Sequence, residues 1–308
     1  FGVCGGIGMG LGYAAATPAA VKWFGPHRRG LIVGIVVAGF GAAAIYVAPL
    51  ARFLIGDYGL SGSFIGLGVF FAVVVIVAGS MLSWPPPGYV PAPPPPGFVM
   101  RKTITRGDWS PREMLGTRQF AALVFLFLAS AQSGLLVIGN AAYLLKETAG
   151  ASGFFAANSW LLPAYVGLVN ALGRVGTGSY SDRIGRPNAY ALNNLISAAF
   201  VLAMPTIIAS ASVPLLFMAV GVAAWQYGGG LSLMPAFTAD FFGSKHLGVN
   251  YGLVFLGWGF AFFVPQLAGY IKDATGSLNA AFYLSGGLLV AGVVVSSMLK
   301  RPLRVGEV

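Results

Sequence analysis

The stretch LVNALGRVGTGSYSDRIGR, Leu168 to Arg186, decides how this chain is read. It begins inside a long apolar run, carries an arginine at position 174, and closes on a turn rich in glycine and charge. Arg174 lies eight residues before Asp182. On a helix rising about 1.5 Å per residue, that is about 12 Å, close to the middle of a hydrocarbon core about 30 Å thick. Snorkelling recovers only about half that depth. A charge so placed costs several kcal/mol unless a cavity, a partner or a ligand compensates it.

The rest of the chain makes the membrane setting plain. Of 308 residues, 57% are hydrophobic and 8% charged, where soluble domains carry roughly a quarter charged residues. The 45 glycines suit helices that approach one another closely. Cys4 is the single cysteine, so no intrachain disulfide forms. Nine apolar stretches are long enough to span: about 1–22, 31–53, 64–83, 120–145, 154–179, 189–209, 213–239, 249–271 and 280–299. Phe1 already lies in an apolar segment, so helices are expected to precede it.

Basic residues orient the spans. Fourteen fall on one side: Lys22, Arg28, Arg29, Arg101, Lys102, Arg106, Arg112, Arg118, Arg183, Arg186, Lys245, Lys300, Arg301 and Arg304. Three, Arg52, Lys146 and Lys272, fall on the other. The first side is therefore expected to be cytoplasmic, which places the protein in the cell (inner) membrane as a multi-pass protein. The same bias explains the net charge of +10 without nucleic acid. The expected domains are a partial N-terminal bundle (1–83), a cytoplasmic proline-rich linker (84–119) containing WPPPGYVPAPPPPG, a C-terminal six-helix bundle (120–299) and a tail (300–308). The proline run reads as a stiff spacer, with a ligand for a proline-recognising partner as the other possibility.

The two bundles share a pattern. Glycines 30, 34, 39 and 41 recur at 248, 252, 257 and 259, an offset of 218. The same offset takes Phe24-Gly25 to Phe242-Gly243, and Gly10 and Gly12 to Gly228 and Gly230. Such repeats build secondary transporters, with the substrate site between the halves.

GSYSDRIGR (178–186) resembles the GxxxDRxGR signature of the major facilitator superfamily. KWFGPHRRGLIVGIVVAGFG (22–41), AQSGLLVIGNAA (131–142), YGGGLSLMPAFTADFFG (227–243) and NYGLVFLGWG (250–259), with the PPPGY loop, are similar to the oxalate/formate antiporter family. The resemblance implies an all-α integral membrane protein of the major facilitator fold, with nine transmembrane helices visible of an expected twelve. It also implies exchange of carboxylates by alternating access. Within the signature, Gly178, Asp182, Arg183, Gly185 and Arg186 are expected to form a gating latch, against the plainer reading of Arg183 and Arg186 as interfacial anchors.

No acidic residue sits mid-span near Arg174; Asp240, the nearest, lies toward the cytoplasmic end of its helix. The compensating charge is then expected to be an anionic substrate, or to come from helices outside this sequence. A guanidinium fork suits a carboxylate. The resemblance agrees, since the family's oxalate exchangers carry an arginine on this helix. They also carry a lysine on the eleventh helix, where this chain has Trp258. One cation in place of two favours a monoanion such as formate or lactate over oxalate. The offset pairs Trp258 with Phe40, and Tyr13, Trp225 and Tyr227 are further aromatic candidates for the cavity wall. Gln132 and Asn140, eight residues apart, are candidates for hydrogen bonding to substrate or for joining helices.

Other classes fit poorly. The two histidines, His27 and His246, lie at the edges of spans, no metal-ligating or nucleophilic constellation appears, and there is no P-loop. The sequence therefore reads as a transporter without a cofactor, partnered by a small carboxylate and the lipid bilayer. A proton-coupled monocarboxylate symporter and a non-transporting receptor on the same fold are the alternatives.

Overall fold

The computed structural model describes residues 2–96, 104–105, 107–149, 153–158 and 161–303. Phe1, Arg101, Lys102, Arg106 and Arg304, part of the AGAS turn, and the end of the expected tail lie outside the described residues. The described chain folds as helices: α1 (Gly2–Trp23), a 3₁₀ turn (Pro26–Arg28), α2 (Arg29–Ser80), α3 (Pro111–Leu115), α4 (Arg118–Gly139), α5 (Ala141–Ala149), α6 (Phe154–Ala157), α7 (Leu161–Ile184), α8 (Arg186–Ala209), α9 (Val213–Phe242), α10 (Leu247–Val254), α11 (Leu256–Ala261), α12 (Phe263–Thr275) and α13 (Asn279–Met298).

The 52 residues of α2 are a hairpin rather than a rod. A straight helix of that length would measure about 78 Å. Yet Trp23, just before α2, donates its indole N–H to the carbonyl of Ser83, just after it, at 2.9 Å. The chain doubles back at Gly59, whose φ of +68° and ψ of 179° leave the helical region. The Gly59 carbonyl accepts from the Ser63 hydroxyl at 2.6 Å and so begins the returning arm. Only glycine adopts that backbone conformation without strain.

Among the described residues, seven segments are long and apolar enough to cross a membrane: Pro26–Ala51, Phe53–Ser80, Arg118–Gly139, Arg186–Ala209, Val213–Phe242, Leu247–Thr275 and Asn279–Met298. The expected count of nine is not confirmed by this measure. The two remaining expected spans correspond to α1 and α7, helices of 22 and 24 residues. Glycines and Pro18 dilute the apolar content of α1, and Arg174, Asp182 and Arg183 that of α7. Boundaries differ as well. The expected 120–145 span breaks at Asn140 between α4 and α5, and the expected 154–179 span starts in the separate short turn α6. The expected 249–271 span is interrupted at Phe255 and Phe262 and runs on to Thr275.

Packing follows the repeat. The 218-residue offset maps α1 onto α9 and the first arm of α2 onto α10 to α12, and in space α1 packs on α10 while α2 packs on α9. This exchanged pairing is what a pseudo-two-fold relation between the halves produces. The most extensive helix contact is between α2 and α7, followed by α7 with α9. One buried cluster joins Val33, Val37, Phe237, Phe241, Phe242 and Tyr251 toward the end of the bundle that carries the basic loops. A second joins Leu136, Leu162, Val220 and Phe282 toward the other end.

The described far end of the proline-rich segment is tied to the bundle. The Trp109 amide donates to the Phe242 carbonyl (2.8 Å), Thr105 N–H to the Asp240 carbonyl (2.7 Å), and Asn250 to the Trp109 carbonyl (3.0 Å). Trp109 and Met114 are buried there, and Ser110 and Glu113 form a capping box that starts α3.

Candidate anion site and charge lock

Arg174 sits on α7 where that helix is squeezed between α2 and α9. Glycines permit the squeeze. A methyl on Gly34 would lie 2.5 Å from the Arg174 carbonyl oxygen, one on Gly173 2.5 Å from the Trp225 carbonyl oxygen, and one on Gly228 2.3 Å from the Asn170 carbonyl oxygen. The close backbones let a mid-helix side chain reach three elements at once. Arg174 is 3% exposed. Its Nε donates to Asn170 Oδ1 at 2.9 Å, and its Nη1 donates to the Tyr13 hydroxyl at 2.8 Å and to the Val37 carbonyl at 2.7 Å. These bonds fix the plane of the guanidinium, and Nη2 makes no hydrogen bond to the described residues.

Arg174 lines a cavity of about 330 Å³. Its polar wall is Tyr13, Asn170, Arg174 and Tyr227, and its aromatic wall is Phe40, Phe255, Trp258 and Phe262. Met9, Leu135 and Leu231 complete it, and among the described residues no acidic side chain lines it. The rings are continuous: Tyr13 stacks on Phe40 (4.4 Å between centroids), Phe255 on Trp258 (5.1 Å), and Trp258 meets Phe262 edge-on (4.7 Å). Trp258 Nε1 donates to the Tyr227 hydroxyl at 3.1 Å.

Hydrogen-bond polarity sets what the cavity can hold. The Tyr13 oxygen accepts from Arg174 and the Tyr227 oxygen accepts from Trp258. Each hydroxyl therefore keeps its own hydrogen for donation, and neither gives it to a described residue. The site offers two O–H donors and the two N–H donors of Nη2 around one fixed cation. This arrangement is suited to an anion, and low polarity around it strengthens each contact.

The structure thus brings five of the eight expected substrate residues, Arg174, Tyr13, Phe40, Tyr227 and Trp258, to one cavity. The other three lie elsewhere. The Trp225 ring packs against Gly176, where an added methyl would sit 2.6 Å from it. Gln132 is fully buried and donates to the carbonyls of Ala129 and Ser285. Asn140 bonds the Leu136 carbonyl at the break between α4 and α5. Asn170 was not anticipated, although it lies four residues before Arg174, the spacing that stacks side chains on one helix face. Leu231 was also missed, although the 218 offset makes it the partner of Tyr13.

At the end bearing the basic loops, the signature forms a buried lock. Asp182 accepts from the backbone N–H groups of Gly30 (2.9 Å) and Leu31 (3.0 Å), capping the N-terminus of α2 from α7. Arg186 pairs with Asp182 (2.7 Å) and with Asp240 (2.9 Å), and Asp240 also takes Arg29 (2.8 Å). Arg186 additionally donates to the Ser181 hydroxyl. Gly178 lies against Gly30, and Gly185 turns the chain into α8 with a φ of +93°. Arg183 is exposed and stands outside the lock. Asp240, considered above only as a partner for Arg174, is instead the bridge between Arg29 on α2 and Arg186 on α8.

Comparison with known proteins gives the class. The family model of the Major Facilitator Superfamily matches residues 1–210. The chain belongs to that superfamily, and it is a multi-pass membrane protein. It is similar to an uncharacterized MFS-type transporter, YhjX, of Escherichia coli (strain K12), at 28% identity over 84% of this chain and 61% of the relative. It is similar to the oxalate:formate antiporter of Oxalobacter formigenes, at 26% identity over 87% of this chain and 66% of the relative. It is also similar to monocarboxylate transporter 11 of Homo sapiens, at 26% identity over 98% and 63%. The chain thus spans 61% to 66% of the length of these relatives.

Proposed function

We propose that this chain forms most of a secondary active transporter that exchanges small monocarboxylate anions such as formate or lactate across the cell (inner) membrane by alternating access. The observation that carries the reading is the Arg174 guanidinium, held by Asn170, Tyr13 and Val37 at an aromatic cavity lined by donors and, among the described residues, by no acid. A carboxylate there neutralises Arg174 and accepts from Tyr13 and Tyr227. A single cation balances one negative charge, so a monoanion is preferred to the oxalate dianion. Two of the relatives, named as an oxalate:formate antiporter and a monocarboxylate transporter, support the substrate class.

On this reading α1 and α7 cross the bilayer with the seven more apolar segments, giving nine spans of a twelve-helix fold. Residues 1–83 and 120–299 belong to opposite bundles, and the Asp182–Arg186–Asp240–Arg29 lock gates the cytoplasmic side. The cavity chemistry supports exchange over proton symport: an empty site holding a buried cation resists reorientation until an anion fills it, and among the described residues no carboxylate or imidazole lines the cavity to carry a proton.

The test is counterflow of labelled formate, lactate and oxalate in proteoliposomes of the full-length protein, with Arg174→Gln alongside. Monocarboxylate exchange that is independent of a proton gradient and lost in Arg174→Gln is the expected result. Uptake driven by a pH gradient without counter-anion favours the symporter, and anion binding without flux favours the receptor. Exchange that survives Arg174→Gln overturns the site.

A further inference from the structure

The turn between α1 and α2 is an aromatic groove, and the chain's own proline-rich segment occupies it. Trp23 donates to the Ser83 carbonyl at 2.9 Å, and the Tyr89 hydroxyl donates back to the Trp23 carbonyl at 3.0 Å. The two rings meet edge-on at 4.9 Å, and Lys22 Nζ lies 4.3 Å over the Trp84 ring. Segments rich in proline are extended and already ordered, which is why aromatic grooves bind them at low entropic cost. The same linker is fixed at its other end to the turn between α9 and α10. There Trp109 bonds the Phe242 carbonyl, and a methyl on Gly243 would lie 2.3 Å from Asp108. Phe24-Gly25 and Phe242-Gly243 are the turns related by the 218-residue offset. One linker is thus seated on both copies of the same turn, one in each half.

The two seats differ in kind. Trp109 and Met114 are buried at the second, whereas Trp84 and Tyr89 are 55% and 40% exposed at the first. A void of about 280 Å³ remains at the first seat, between the turn and Tyr89, Pro93 and Pro95. The second seat is buried, and the first is shallow and partly open. We propose that residues 83–95 are a releasable strap whose docking in the α1–α2 groove holds the two halves together at the lock end of the bundle. Undocked, the linker from Met81 to Ile104 could extend to about 80 Å; docked through Pro95, the remaining nine residues reach only about 30 Å. Docking removes most of the slack between the halves. The inference rests on the alternating-access reading above for the motion it restrains, though not on the identity of the anion.

The test uses the full-length protein with Cys4→Ser and spin labels at Met81→Cys and Lys245→Cys, both exposed positions, one at the end of α2 and one on the α9–α10 turn. Distance distributions are recorded without substrate. Trp23→Phe and Tyr89→Phe each remove one hydrogen bond and keep an aromatic ring at the position. Together they are expected to raise the population with separated labels at least about fivefold, since each lost bond corresponds to roughly a two- to tenfold change. A distribution that coincides with that of the parent overturns the strap. Lost carboxylate exchange with a strap-dependent distance would overturn the proposed substrate and leave the strap standing.

Discussion

Gly30 and Gly178 touch backbone to backbone. A methyl on Gly30 would sit 2.4 Å from the Gly178 carbonyl oxygen, and one on Gly178 would sit 2.2 Å from the Gly30 carbonyl oxygen. This contact lets Asp182, one turn further along α7, reach the free N–H groups at the start of α2. Gly178→Ala is therefore expected to separate the two helices and release that cap. Overpacking of this kind costs about 1–3 kcal/mol. A lowered unfolding midpoint in detergent, matched by Gly30→Ala, would establish it; midpoints equal to the parent's would show that the helices can part without cost.

Asp240 joins Arg29 to Arg186 in a buried site, with side-chain exposures of 4%, 10% and 4%. Asp240→Asn leaves two buried guanidinium groups with one carboxylate, that of Asp182. Breaking a buried pair in this way costs about 3–5 kcal/mol. The expected result is a large loss of thermal stability. Asp240→Glu should recover part of it if charge is the cause, and recover nothing if shape is.

Trp258 lies in the cavity wall, yet its indole N–H is directed at Tyr227. Trp258→Phe keeps an aromatic ring in the wall, though a smaller one, and frees the tyrosine hydroxyl to rotate. The half-saturation concentration for monocarboxylate exchange should rise about two- to tenfold with little change in maximal rate. Tyr227→Phe should match it, and the double variant should add nothing further. Additive losses would mean that the two residues act separately.

Trp258→Lys places a second cation in a cavity that has one. Preference for oxalate relative to formate should rise about tenfold or more, since each 1.4 kcal/mol of differential binding is a factor of about ten. An unchanged ratio would show that the second charge does not reach the anion beside Arg174.

Much of this organisation was legible in order along the chain. Composition and the run lengths identify a membrane protein, because burying a backbone in lipid admits few solutions. The depth of Arg174 marks it as exceptional, and the 218-residue offset pairs the helices that later pack in exchanged fashion. The pairing also brought Phe40 and Trp258 to the same cavity. Legibility failed where two segments distant in sequence meet. Gln132 and Trp225 look as available as Tyr227 on a helical wheel, but Gln132 faces Ser285 and Trp225 faces Gly176. Asn140 looks like a substrate ligand and instead bonds its own helix.

The sequence by itself determined the helical membrane class, the repeat, the superfamily signature and the isolated mid-helix arginine, because each depends on spacing within one element. Tertiary structure alone decided that Asp240 belongs to the lock rather than to Arg174, and that α2 is a hairpin. It also decided that the proline run is seated on a repeated turn, and that Tyr13 and Tyr227 keep their hydroxyl hydrogens for the cavity. These depend on which atoms stand within about 3 Å across helices, and a hydrogen bond's direction is set by the partner that arrives from elsewhere in the fold.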